Sequence, residues 1–289
     1  MSSTNIAVRR IALVANTSKP AAEAIARHMT SYFLERGILI DIFTSGPGVS
    51  TDIVVRPDTD LAISLGGDGT VLYCARSLLV HQIPILAVNL GTFGYITEVA
   101  ANEWQEAYEQ YISRQSHISQ RLMIQVSVLR KGELIWQRYG LNEAAINASG
   151  ISKIVHLELL VNGTKAGLFR SDGMLICTPT GSTGYNLASG GPILDVDLSA
   201  LIITPICPFT LSNRPLVIGE QAKVEVIVPH GQRTEVMLTV DGQQNCKIVE
   251  NDVIVVQKAE KKALLVTSER RNFIEVIRDK LSWSGGMHA

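Results

Sequence analysis

Leu61-Ala-Ile-Ser-Leu-Gly-Gly-Asp-Gly-Thr70 is the stretch on which the fold turns. A short apolar run, Leu61–Leu65, leads straight into Gly66-Gly67-Asp68-Gly69 and then into a helical pattern over Val71–Leu79. That sequence of signals predicts a buried strand turning directly into a helix N-terminus. Upstream, the same rhythm is carried by an apolar run at Ile11–Ala15, a helix around Ala21–Glu35 closed by Gly37, and a second run at Ile38–Phe43. Downstream it continues with a strand at Ile85–Asn89 and a helix around Glu103–Ser113. Short strands alternating with helices predict an α/β N-terminal domain built on a doubly wound parallel sheet.

From about Arg121 the apolar period drops to two, in Met123–Leu129, Leu134–Tyr139, Val155–Val161 and Val224–Val228. This half is expected to be a mainly antiparallel, β-rich C-terminal domain. Asn162-Gly163 is a strong type I′ hairpin signal, because both central residues take positive φ; Lys131-Gly132 and His230-Gly231 are weaker turns. The resulting division is residues 1–116, residues 117–267, and an amphipathic helical segment within 268–289 (Phe273–Leu281) that packs back on the first domain.

The chain has 289 residues, 46% of them hydrophobic and 18% charged, with 26 basic against 27 acidic side chains. Those proportions predict ample cores. The balanced charge supplies no field for nucleic acid or an anionic membrane surface, so any anion site must be local. His81, Gln82, Pro84, Asn89, Pro205 and Pro208 interrupt the most apolar stretches well short of a membrane span. Cys74, Cys177, Cys207 and Cys246 form no CxxC pair and read as reduced thiols, and Arg9 and Arg10 lead into a strand rather than a signal core. A cytoplasmic location is expected.

Glycines where a strand becomes a helix let backbone N–H groups approach phosphate oxygens, and the helix dipole favours the anion. Alone, the cluster equally suits an ordinary βα turn. Asp68 sharpens the reading, since a carboxylate among phosphate-facing amides must take a proton, hold a metal, or do both. A second cluster, Thr178-Pro-Thr-Gly-Ser-Thr-Gly-Tyr185 running on to Ser189-Gly-Gly-Pro192, crowds hydroxyls and glycines round one aromatic ring on which a base could stack. Between the two lie Asn142-Glu143 and Arg170-Ser-Asp172-Gly173, whose amide and carboxylate groups suit the edge of a base and ribose hydroxyls.

Taken together, Gly66–Thr70, Asn142-Glu143, Phe169-Arg-Ser-Asp-Gly173, Thr178–Tyr185, Leu211–Ile218 and Val240-Asp-Gly-Gln243 resemble the NAD kinase family in order and spacing over nearly the whole chain. The GGDG turn is the least specific of these, being shared with lipid and sugar-phosphate kinases; the TPTGSTxY loop is the most specific. The resemblance implies transfer of a phosphoryl group from ATP or a related donor to the adenosine 2′-hydroxyl of NAD, with Asp68 as general base. It implies that Gly67, Asp68 and Gly69 lie against donor phosphates, with a divalent metal, magnesium or manganese, held mainly by phosphate oxygens and water rather than by a protein ligand cluster. Asn142 and Glu143 then contact the adenosine part of NAD, Asp172 its nicotinamide end, and Thr183 and Tyr185 the adenine side, with Tyr95 nearby. Gly184, Asn186, Leu187 and Ala188 complete that loop, and Lys153, Arg170 and Gln243 match further binding positions.

Two residues depart from the family pattern. Ala188 stands where many relatives have Ser, removing one side-chain hydrogen bond, and Phe209 stands where a histidine is frequent, leaving an aromatic stacking role open. The resemblance also implies a homodimer or homotetramer. Competing readings are a lipid or sphingoid kinase on the same GGDG domain, and a catalytically silent NAD-binding regulator.

Overall fold

The computed structural model describes residues 5–46, 53–91, 94–149, 154–210, 212–267 and 273–282. The chain divides into two compact units, residues 1–120 with 263–289, and residues 121–262.

The first unit contains β1 (Arg10–Asn16), α1 (Ala22–Glu35), β2 (Leu39–Ser45), β3 (Leu61–Gly66), α2 (Asp68–Leu78), β4 (Ile85–Asn89), β5 (Val99–Ala100), α3 (Trp104–Ile112) and β6 (Ile118–Arg121). The second holds β7 (Ile124–Arg130), β8 (Glu133–Gly140), β9 (Glu143–Ala148), β10 (Val155–Val161), β11 (Thr164–Ser171), β12 (Gly173–Cys177), α4 (Tyr185–Ala188), β13 (Ala200–Ile206), β14 (Leu216–Gly219), β15 (Val224–Ile227), β16 (Val236–Val240), β17 (Gln244–Ile248) and β18 (Val253–Lys258). The chain then returns to the first unit with β19 (Ala263–Val266) and α5 (Phe273–Leu281).

The first sheet runs β2-β1-β3-β4-β19-β6, with β5 beside β4. Strands β1 to β5 and β19 pair in parallel. Strands buried on both faces need apolar side chains throughout, and Leu61–Gly66 and Ile85–Asn89 are buried at every position. Ile11, Leu13, Ile63, Leu65, Leu86 and Val88 share one core with Met29 and Phe33 of α1 and Trp104 and Tyr108 of α3. The alternate residues face the other way, towards α2, so helices cover both faces as the doubly wound reading expects. The sheet also takes in β6 and β19, residues that the period-two pattern had assigned to the β-rich half; short strands of four residues carry too little periodicity to declare their sheet.

The second unit is two six-stranded sheets, β11-β10-β15-β18-β7-β8 and β14-β13-β12-β9-β16-β17, whose adjacent strands are antiparallel. Inward residues of both, among them Val126, Leu157, Val226 and Ile254 from one and Ile146, Ile176, Ile203 and Leu238 from the other, form a single core. On the outer face of the second sheet, Ala145, Leu175, Cys177 and Ile202 are covered by the chain at Leu194. Asn162-Gly163 takes the positive φ values of 51° and 75° that its sequence demands, and Lys131-Gly132 does the same at 53° and 85°, a stronger hairpin turn than its residue types suggest.

Candidate active site

Helix α2 begins at Asp68, three residues before the start read from the sequence, because Gly67 in extended backbone caps it. The two preceding glycines serve different ends. A Cβ on Gly66 would collide with the Thr70 hydroxyl, so packing requires that glycine. A Cβ on Gly67 would meet nothing within 4 Å. The bare backbone at Gly67 is therefore open to approach from outside, and Gly69 is exposed beside it on the helix's first turn.

The Asp68 side chain is not left among those amides. Its Oδ2 accepts the Tyr95 N–H at 2.8 Å, and its Oδ1 accepts the Ile96 N–H at 3.3 Å, the Thr97 N–H at 3.1 Å and the Thr97 hydroxyl at 3.0 Å. The proton or metal that the sequence demanded as compensation is matched here by four donors from the turn after β4. Asn89 builds that turn: its amide donates to Thr97 Oγ1 at 3.0 Å, and its carbonyl oxygen takes the Gly91 N–H at 2.8 Å. Neither Asn89 nor Thr97 was singled out from the sequence, in which each is an ordinary polar residue near a strand end. Gly94 completes the arrangement, since a Cβ there would strike the Asp68 carboxylate. Gly94→Ala is expected to displace the carboxylate or the turn, lowering stability by about 1–3 kcal/mol and cutting turnover sharply; a thermal melt and a turnover assay check both. Tyr95 is half-buried, with the Lys280 ammonium of α5 5.9 Å from its ring centre, and burial followed by the nearby Asp68 charge pushes its phenol pKa up.

In the second unit Asn142 and Glu143 are set by a residue nearly a hundred positions away. Asp241, 5% exposed, accepts the N–H groups of Leu141 at 2.8 Å, Asn142 at 2.8 Å and Glu143 at 3.2 Å. Antiparallel pairing of β16 with β9 brings the two segments together, and Asp241 and Gly242 take φ of 52° and 65° at the turn. Within the Val240–Gln243 motif it is thus Asp241, and not only Gln243, that bears on the site, through a reach that no local sequence signal declares. Gln243 is exposed, and its N–H bonds to Val240 O at 3.0 Å.

Glu143 is 7% exposed, and among the described residues its Oε2 has no hydrogen-bond partner; nor has the buried Oδ1 of Asn142. Burial, reinforced by the Asp241 carboxylate, pushes the Glu143 pKa up to about 8, against the lowering effect of the Tyr185 N–H. The Glu143 carboxylate and the Asn142 amide both border Gly184, where an added Cβ would lie 3.1 Å from Glu143 Oε2 and 3.3 Å from Asn142 Nδ2. A side chain at residue 184 would crowd both groups.

The Thr178–Tyr185 loop is tied down from within. Thr178 donates to Leu141 O at 2.5 Å and accepts the Gly181 N–H at 3.1 Å, while Ser182 Oγ takes the Leu194 N–H at 3.1 Å. Thr183 donates to Thr180 O. Asn186 is fully buried: its amide donates to Ser182 O and Pro192 O, and its oxygen accepts from Thr204. Its side chain is spent on holding the loop. Leu187 is half-buried, Ala188 is exposed, and the Tyr185 ring is 42% exposed at the start of α4.

Arg170 and Asp172 are exposed and lie near Gly173, where β12 pairs with Asn147, whereas Cys177 at its other end pairs with Glu143. The five residue steps from Asp172 to Cys177 span about 16 Å at ~3.3 Å per residue. The two groups of expected binding residues thus mark opposite ends of one strand. Lys153 lies outside the described residues, as do Thr92 and Phe93 next to Tyr95 and Leu211 of the Leu211–Ile218 segment. Among the described residues no three His, Cys, Asp or Glu side chains converge as a metal-ligand set, and no helix is long and apolar enough to cross a membrane.

Comparison with known proteins finds relatives that cover 96% of the chain. Residues 49–116 match the ATP-NAD kinase N-terminal domain and residues 141–268 the ATP-NAD kinase C-terminal domain. The NAD kinase of Treponema denticola is 36% identical over 278 residues, covering 96% of this chain and 98% of the relative, and that of Geobacter metallireducens is 38% identical over 283 residues, covering 96% and 99%. Among solved structures, yeast NADH kinase complexed with NADH superposes with a TM-score of 0.86 at 21% identity, covering 96% of this chain and 89% of that one. An NAD kinase from Archaeoglobus fulgidus in complex with ATP gives 0.75 at 23%, covering 94% and 98%. These two show the shared fold, and the curated relatives, with both family domains in order, show that the chain belongs to the NAD kinase family.

Proposed function

We propose that the chain transfers the γ-phosphoryl group of ATP to the adenosine 2′-hydroxyl of NAD, giving NADP and ADP. The observation that carries this reading is the pair of buried acceptors on neighbouring residues, Asn142 Oδ1 and Glu143 Oε2, that have no hydrogen-bond partner among the described residues. Each unfilled acceptor costs about 1–3 kcal/mol, and neighbouring hydroxyl donors of a ribose would fill both. The exposed Tyr185 ring next to them gives a base a face to stack on.

The roles divide by unit. In the first, the backbone of Gly67 and Gly69 at the start of α2 receives donor phosphates. Asp68 takes the proton as the hydroxyl oxygen bonds to the γ-phosphorus and the bond to ADP breaks. Its Oδ2, which holds one N–H against three donors on Oδ1, is the atom with room for that proton. In the second unit, Asn142, Glu143, Thr183, Gly184 and Tyr185 hold the adenosine part of NAD, and Arg170 and Asp172 serve its other end. The backbone around Asn186, Leu187 and Ala188, with Gln243 and Lys153, completes the binding surface. A divalent ion, magnesium or manganese, would neutralise charge on the triphosphate, with phosphate oxygens and water as most of its ligands.

The protein is proposed to work in the cytoplasm, where its four unpaired cysteines stay reduced, as a homodimer or homotetramer. The decisive experiment supplies labelled ATP and magnesium with NAD, NADH, or a sphingoid or glycerolipid acceptor, repeats the NAD arm with polyphosphate, and resolves the products. Label at the 2′-position of NAD is expected. Label in the lipid alone, or no transfer from either donor by folded protein that still binds NAD, would overturn the proposal in favour of a lipid kinase or a silent binder respectively.

A further inference from the structure

Phe209 is two-thirds exposed, an uncommon place for a ring of that size unless something uses it. Directly above it lies Arg170, whose guanidinium carbon is 4.7 Å from the ring centre. The backbones are tied as well, with the Phe209 N–H donating to Arg170 O at 2.8 Å. The approach is built by the turn after β13, where Cys207 takes a left-handed φ of 44° and Pro208 follows. Among the described residues, no carboxylate pairs with Arg170, although many of the surface cations do have such partners.

An exposed arginine ordinarily samples many rotamers, and fixing it when a ligand arrives costs affinity. A planar guanidinium laid on an aromatic face keeps its edge N–H groups free while losing much of that freedom beforehand. We infer that Phe209 is a positioning residue for Arg170, shelving the guanidinium in advance so that its N–H edge meets an anionic or carbonyl oxygen of the bound dinucleotide. The inference rests on the placing of Arg170 in the NAD site above.

The test is a double-mutant cycle on the full chain, with NAD as the varied substrate and saturating ATP and magnesium. Phe209→Leu is expected to raise the KM for NAD about three- to fivefold, the range of an exposed cation–π contact, with kcat within about twofold. Phe209→Tyr, which keeps the ring, is expected to restore the wild-type KM. Arg170→Ala is expected to raise the KM at least as far, and adding Phe209→Leu to it to do nothing more. If Arg170→Ala raises the KM but Phe209→Leu does not, or if the two effects add, the positioning role is overturned while the NAD site stands. If Arg170→Ala leaves the KM unchanged, the placing of Arg170 itself is wrong and the inference falls with it. Should Phe209→Leu lower the melting temperature, Phe209→Met provides the same readout without the ring.

Discussion

Asp68→Asn is expected to lower kcat by at least roughly 10²-fold, the usual loss when a general base is removed, while leaving the affinity for NAD nearly unchanged. The substitution also has a structural consequence that the geometry specifies. An amide keeps one oxygen, but its nitrogen now faces either the Tyr95 N–H or the Thr97 donors, which the carboxylate accepts on both oxygens. Two donors then face each other, so a fall in melting temperature should accompany the fall in rate. Gly94→Ala disturbs the same turn while a carboxylate is kept, and is the reference for how much of either loss comes from displacement alone. Single-turnover transfer measured beside equilibrium NAD binding makes the check. Transfer by Asp68→Asn at the wild-type rate would remove Asp68 from the chemistry and leave it a purely structural clasp for residues 95–97.

The second large effect is expected at Glu143 and depends on pH. In the folded chain this carboxyl has its pKa raised to about 8 from an ordinary 4.5, through burial and the Asp241 charge. Below pH 4.5 it is protonated whether the chain is folded or not, and the folded state bears no penalty. Between 4.5 and 8 the unfolded chain gives up the proton while the folded one retains it, so stability drains away as pH rises and levels off above about 8. Glu143→Gln mimics the protonated form and has nothing to titrate. The variant is therefore expected to gain on the wild type steadily from pH 5 to pH 8.5, by an amount on the order of a few kcal/mol. Urea unfolding at the two pH values measures it. A stability difference that stays constant with pH would mean that Glu143 titrates normally and that its surroundings are wetter than its burial indicates.

Much of the architecture was legible because it rests on local signals. The Leu61–Leu78 strand–turn–helix, the Asn162-Gly163 hairpin and the terminal helix at Phe273–Leu281 are each declared by periodicity or by residues that permit one backbone geometry. The two clusters of glycine and hydroxyl residues stood out for the same reason, and their joint order carried the family. What stayed hidden depends on side chains reaching distant backbone. Asp68 is bound by amides 27 to 29 residues further on, and Asp241 holds amides 98 to 100 residues earlier. No local pattern encodes such a reach, since it exists only once particular strands lie side by side. Asn186 shows the converse. A polar residue in a binding loop reads as a ligand contact, yet every polar atom of its side chain is committed to the loop's own framework.

Strand β19 has a consequence for how the chain is made. It lies between β4 and β6 in the first sheet, although the whole of the second unit separates it in sequence from both. A ribosome therefore releases residues 1–120 long before the strand that bridges their sheet has been synthesised, and can complete the intervening sandwich first. The GGDG half of the molecule is consequently expected to finish folding after the half inserted into it. A fragment ending at residue 120, missing an interior strand, should expose the edge of β4 and aggregate rather than persist as a free-standing domain.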